Sequence, residues 1–402
     1  MRYGTSPRDS RADRARWPRA ALTASGAALV GLALVLAACG PAAQPAPTTA
    51  PAAPVAPTLP AAKPTAAAPA AQPAEKPAPA AAKPKVPQEI IDGANREGQL
   101  RLYWTSTAND QWRQKFEDAF NEEYGVKVII TDTRGNDWAR DTAKIVGEAV
   151  AGQKPAWDLM LTTEEHHNSL SHADLLGQYN FVELFGVPPE SVLFQGGAYA
   201  FANQITLPAY NRDLVKGADV PKTWDDLLDP KWKDKIGVHV ATHHWARLSQ
   251  VWGDEKTTQF VTRLAALNPR LGTLADLEQK LELGEVQVLG TQNDTFIRVS
   301  RNRGAPAVWA EDLSPVIVPR VMVGPLKGGA NPNAALLFAG FLNTERGQGL
   351  WEEFQGQSSI YVPGSGYWKL VQGKEAVVVT EEFMEKELGP RTAKYGQILG
   401  YR

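Results

Sequence analysis

The sequence predicts an α/β fold built on a largely parallel sheet, preceded by a long segment that builds no core. Three observations predict it. From residue 99 onward, short runs of apolar and β-branched residues alternate with stretches of helical periodicity. Their order is strand, helix, strand, helix, strand, which calls for right-handed crossovers and helices on both faces of a parallel sheet. Composition also breaks sharply near residue 87: 33 of the 47 residues from 41 to 87 are Ala or Pro.

The first 87 residues carry an address and a spacer. Six Arg precede the apolar stretch Ala20–Ala38, whose centre runs Ala27-Ala28-Leu29-Val30-Gly31-Leu32-Ala33-Leu34-Val35-Leu36. A basic start followed by a short apolar run is the pattern of a secretory leader. It ends in Leu36-Ala37-Ala38-Cys39-Gly40, which resembles a bacterial lipoprotein box. Residues 1–38 are therefore expected to be a removable leader and Cys39 the lipidated new amino terminus. The alternative is a membrane-spanning anchor, since about 20 apolar residues suffice to cross a bilayer; Cys39, the only Cys of the chain, stands where lipidation needs it. Residues 39–87 then form the lipidated Cys and a Pro/Ala-rich disordered tether. Proline at this density forbids helix and sheet and favours extended polyproline II, giving a reach of up to ~145 Å.

The remainder is acidic. Residues 1–87 take ten of the 42 Lys and Arg but three of the 44 Asp and Glu, leaving 32 basic and 41 acidic residues in 88–402. That balance argues against a nucleic-acid partner, which needs a basic face. One Cys excludes a disulfide framework and a Cys-rich zinc site. The 88–402 stretch contains no Walker loop, GxGxxG, GxSxG or HExxH.

Gln99–Trp104 reads as the first strand, and Thr105-Ser106-Thr107 as caps for the helix that carries Trp112, Phe116, Ala119 and Phe120. Gly125 fits the position just past that helix. Val126–Thr131 is the second strand. A helix from about Asp137 with Ile145, Val146 and Ala149 closes at Gly152, and Trp157–Leu161 is the third strand. Further strands are expected at Lys235–Ala241 and Val286–Gly290. Helices are expected at His244–Trp252, Glu255–Leu267, Leu274–Leu283, Asn333–Leu342 and Glu345–Phe354.

One stretch is more specific. Tyr210-Asn211-Arg212-Asp213-Leu214-Val215 followed by Val220-Pro221-Lys222-Thr223-Trp224-Asp225-Asp226-Leu227-Leu228-Asp229-Pro230-Lys231-Trp232-Lys233-Asp234-Lys235-Ile236 resembles the extracellular solute-binding proteins of ABC importers, closest to the ferric-iron, thiamine, putrescine and phosphonate-type group. Leu283-Gly284-Glu285-Val286 and Gly328-Gly329-Ala330-Asn331-Pro332-Asn333 extend the resemblance, which covers about residues 97–370. It implies a two-lobed type II periplasmic-binding-protein-like fold with a central cleft and crossing hinge strands. On that template residues 88–204 and 314–402 form lobe one and residues 205–313 lobe two, with the first crossing near Ala200–Tyr210 and the return near Ser314–Val323. It implies a binding protein and no enzyme: a monomer on the membrane through its lipid, facing the periplasm or cell exterior. It would hold a small polar or anionic solute or a metal chelate for an ABC permease, without a cofactor.

In such sheets ligands meet the carboxyl ends of strands, where helix amino termini offer free N–H groups. This singles out Ser106, Thr107, Arg134, Thr162 and Thr163 on lobe one, and Thr242, His243, His244, Trp245, Asn293 and Asp294 on lobe two. The hydroxyls either cap helices or touch a ligand. Arg134 either clamps an anion or is solvated. Trp104 and Trp245 either stack on a ligand or belong to the core. The six His fall in two groups, His166, His167 and His172, and His239, His243 and His244, able to meet a transition metal or to bind an anion at low pH. The ferric-iron members carry adjacent tyrosines after the Gly-Glu-Val strand, where this chain has Asn293-Asp294-Thr295-Phe296, so tyrosinate binding of iron is not expected. Two other functions compete: a surface metal-dependent hydrolase using the His groups with Glu164 or Glu165, and a non-catalytic adhesive lipoprotein.

Overall fold

The computed structural model describes residues 86–135, 137–240 and 242–401. The expected leader, Cys39 and nearly all of the expected tether lie outside the described residues, as do Asn136 and Ala241. Among the described residues no helix is long and apolar enough to cross a membrane.

The chain makes two sheets in turn, crosses between them twice along neighbouring strands, and later sends one short strand back to the second sheet. β1 (Gln99–Thr105), β2 (Ile129–Gly135) and β3 (Leu159–Thr163) run parallel, as the strand–helix alternation requires, and β4 (Val192–Leu193) and β5 (Ala198–Asn203) complete the outgoing half. Two residues later β6 (Thr206–Asn211) begins the second sheet, which adds β7 (Ile236–His239), β8 (Arg270–Gly272), β9 (Val288–Asn293), β10 (Ala307–Trp309) and β11 (Val316–Ile317). After Val318 and Pro319 the chain returns to the first sheet as β12 (Arg320–Pro325), between β3 and β5. The two crossings touch: Gln204 N–H donates to Pro319 O at 2.8 Å, with Asn203 paired to Arg320 on one side and Thr206 to Ile317 on the other. This is the two-lobed arrangement with crossing strands.

Each lobe buries its own apolar faces. In the first, Trp104, Phe116, Trp351 and Phe354 pack edge to face between β1 and the helices Asp110–Tyr124 and Glu345–Gln355. In the second, Trp224, Trp245, Trp252 and Phe260 pack ring against ring. Such pairs add about 0.5–1.5 kcal/mol each beyond the area they bury.

The placement of the whole of 314–402 in lobe one is corrected at both its ends. β11 pairs with β6, and β13 (Ala376–Val377) pairs with β11 in the second sheet. The last helix, Gly389–Ile398, lies on the helices His243–Trp252 and Asp254–Ala266 of the second lobe. Polar side chains fix it there. Lys394 pairs with Asp254 at 2.7 Å, the Tyr395 hydroxyl donates to Asp254 at 2.9 Å, and Arg391 donates to Ser249. The helices Pro332–Phe341 and Glu345–Gln355 stay with the first lobe.

Candidate functional site

Between the lobes, where the crossing strands meet, lies a cleft of about 910 Å³. The first lobe contributes Thr105, Ser106, Thr107, Trp138, Thr163, Glu165, His166 and Asn168. Gln204 and Pro319 come from the crossings. The second lobe contributes His243, His244, Arg247, Leu274, Asn293, Thr295 and Phe296. The C-terminal stretch adds Met384, Leu388, Gly389, Thr392 and Ala393.

Of the singled-out residues, Ser106, Thr107, Thr163, His243, His244 and Asn293 line the cleft. The 105–107 turn does not cap the following helix. Asn109 does, its side chain accepting from Trp112 N–H at 3.0 Å. Ser106 and Thr107 are thereby left exposed on the cleft wall, with the Thr107 hydroxyl accepting from Gln355 at 2.8 Å. Asn293 both lines the cleft and caps its helix by accepting from Phe296 N–H.

The other singled-out residues face elsewhere. Arg134 is spent on Asp132 and Asp110. Thr162 is buried against His167 Nδ1 at 3.0 Å. The Thr242 hydroxyl donates to Thr392 O at 2.6 Å. Asp294 is buried and accepts from Tyr367, Gln357, and the Ile205 and Thr295 amides. Trp245 is core, because β-sheet residues and the ring of Phe260 enclose it. Trp104 is likewise enclosed, with its indole N–H on Asp132 at 2.9 Å.

The histidines divide by burial. His166 lines the cleft and meets Trp138 edge to face, while His167 points into the lobe. His243 and His244 both line the cleft, and His244 Nδ1 sits 2.9 Å from the Thr291 hydroxyl. Burial pushes His243 down to about 4, and it also lowers His166 and His244. These imidazoles are therefore neutral at pH 7. Among the described residues no group of three or more His, Cys, Asp or Glu is placed to hold a metal ion.

The strongest electrostatic feature joins the lobes. Arg247, buried on the second-lobe helix His243–Trp252, reaches Glu164 Oε1 at 2.6 Å and also Glu165, both on the first-lobe helix Glu164–His172. Glu164 in turn accepts the Arg320 amide of β12 at 2.5 Å. Burial pushes the Glu164 carboxyl up against the pull of Arg247. For Glu165 burial also pushes up, but Arg247 and His243 outweigh it and hold the group at about 2. Sequence reasoning named Glu164 and Glu165 only as parts of a hydrolase and did not name Arg247 as a site residue. Within Trp245-Ala246-Arg247-Leu248 a lone Arg has the look of a solvated helix position.

The chain is thus a two-lobed α/β protein with two adjacent crossing strands and a ligand-sized cleft where they meet. Residues 190–365 match the family model of bacterial extracellular solute-binding proteins, and the 210–236 stretch lies within that match. Among solved structures, iron-bound HitA from Pseudomonas aeruginosa superposes with a TM-score of 0.58 at 18% identity, covering 75% of this chain and 99% of that one. The Trichodesmium protein IdiA (FutA), in complex with iron and citrate, gives 0.60 at 16% identity over 76% and 100%. The ferric binding protein from Campylobacter jejuni gives 0.60 at 16% identity over 75% and 100%. No curated protein matches the sequence. The matched family is one of binding proteins and not of enzymes.

Proposed function

We propose that this chain is a lipid-anchored receptor that captures a small polar solute in the cleft and delivers it to an ABC permease. The observation that carries the reading is a cleft of about 910 Å³ lined from both lobes and floored by the two crossing strands. Ligand bound there touches both lobes at once, which is what a hinged closure needs. Ser106, Thr107, Thr163, His243, His244 and Asn293 are the proposed ligand contacts. Residues 1–38 act as leader, and Cys39 with 40–87 as lipid anchor and tether, so that a monomeric receptor stays concentrated at the membrane facing the periplasm or exterior.

The three solved structures named above are described with iron or as ferric binding proteins. Here no tyrosine lines the cleft among the described residues, which speaks against tyrosinate-held iron.

The test is native mass spectrometry of protein purified from its own host. A co-purifying solute, added back after its removal, should raise the melting temperature and reduce the radius of gyration without turnover. Turnover of that solute, or its binding without compaction, would sink the receptor reading. For the anchor, Cys39→Ser should release the protein from membranes or stall its maturation; unchanged retention and processing would remove the lipoprotein claim.

A further inference from the structure

The cleft's charge is already spent. Among its described lining residues only Glu165 and Arg247 carry a formal charge at neutral pH, and they are paired with each other, with Glu164 closing the other side of the guanidinium. The imidazoles of His166, His243 and His244 are kept neutral by burial. Arg134, the other cation near the strand ends, is held by two carboxylates away from the cleft. An ion entering the cleft would give up part of its hydration and find the charged groups of the lining already engaged with each other, which is costly.

The walls are apolar in large part. Trp138 and Phe296 face in from opposite lobes, Pro319 lies at the crossing, and Leu274, Met384 and Leu388 close the second-lobe side. Between them stand neutral hydrogen-bonding groups, such as those of Thr163, Asn168, Gln204 and Asn293. The volume of about 910 Å³ lies within the range of small-molecule pockets.

We infer that the cleft takes an uncharged organic solute with an aromatic or apolar body carrying carbonyl, amide or hydroxyl groups, not a metal ion, an anion or an organic cation. This rests on the receptor reading and narrows it to a ligand class. Trp138 and Phe296 sandwich the body, and the Thr, Asn and Gln side chains read its polar edge.

Three probes of one shape and different charge test it: 2-naphthamide, 2-naphthoate and 2-naphthylmethylammonium, each titrated calorimetrically into the full chain at pH 7. The neutral amide should bind at least about tenfold more tightly than either ion, a gap of about 1.4 kcal/mol. Phe296→Ala and Trp138→Ala should each weaken the amide by at least about fivefold while the melting curve stays cooperative. Both side chains are only partly buried, so folding should survive; should one variant unfold, the other decides. Equal or tighter binding of either ion overturns the neutral class, and binding of none of the three overturns the apolar-body requirement. The receptor reading is judged separately: a charged co-purifying solute that compacts the chain would preserve it while overturning the ligand class.

Discussion

At the residue scale, Arg247 shows how a burial-driven role hides in a sequence. Two carboxylates and a guanidinium are withdrawn from water together, and the arrangement is tolerable only because each charge is met. Arg247→Ala leaves Glu164 buried without its ion-pair partner, with only the Arg320 amide still donating to it, and should cost about 3–5 kcal/mol of stability by urea unfolding. A loss below about 1 kcal/mol, typical of exposed pairs, would show that the triad is solvated. Between pH 6.5 and 4 the stability curve follows from other residues. His167 and His243 are both depressed to about 4 by burial, so between pH 6.5 and 4 the unfolded chain binds more protons than the folded one. Their stabilisation is complete above 6.5 and is lost as pH falls, at about 1.4 kcal/mol per pH unit for each imidazole. Asp294 opposes them. Burial raises it to about 6, so its contribution is present below its unfolded value near 3.8 and is lost as pH rises through 6. Asp294→Asn should therefore make the fall in stability from pH 6 to 4 steeper than in the natural chain. An unchanged slope would mean that Asp294 titrates normally.

Elements were far more legible than the side chains they carry. The helix with Trp112, Phe116 and Phe120 spans Asp110–Tyr124 and ends at Gly125 with φ 66°, because a full apolar stripe and a left-handed stop are both written locally. The helices read at 244–252, 255–267, 274–283, 333–342 and 345–354 lie within one residue of their observed limits. The helix Glu164–His172 was not legible. Its sequence Glu-Glu-His-His-Asn-Ser-Leu-Ser-His offers one buried apolar side chain, Leu170, since its buried face is made of Glu164 and His167. Those are burials that only the partner lobe and neighbouring strand explain. The C-terminal helices from 366 onward were equally silent, being short and closed on the second lobe by ion pairs and hydroxyls. Packing between elements can be tested with two helical glycines. A Cβ at Gly340 would lie 2.2 Å from the Phe185 ring, whereas one at Gly147 would meet nothing within 4 Å. Gly147→Ala should stabilise by about 0.5–1 kcal/mol through helix propensity alone. Gly340→Ala should instead destabilise by about 1–3 kcal/mol as the helix Pro332–Phe341 is pushed off Phe181–Phe185. Like signs for the two would show that this contact is slack.

At the scale of the molecule the question is what sets the balance between open and closed lobes. Ligand contacts favour closure only so far as they differ between the two states. Here the protein supplies cross-lobe contacts of its own. Arg247 reaches from the second lobe to Glu164 and Glu165 on the first, and Asp294, just past β9, accepts from Gln357, which follows the first-lobe helix Glu345–Gln355. A chain so clasped has part of the closure free energy in place before any solute arrives. A full reversal from mostly open to mostly closed takes about 5.5 kcal/mol, so the solute has correspondingly less to add. Glu165 is the member to change, because its side chain is part-exposed and Gln keeps its volume while removing its charge. Glu165→Gln should increase the radius of gyration of the unliganded chain in small-angle scattering, and saturating solute should restore the compact value. Apparent affinity should fall as well, since the competent closed state is less populated. The clasp is buried, so the difference between variant and natural chain should persist at about 1 M salt, where exposed pairs are screened over about 3 Å. If the variant scatters like the natural chain without solute, packing at the crossing strands holds the lobes, and the Arg247 triad stabilises the fold without governing its closure.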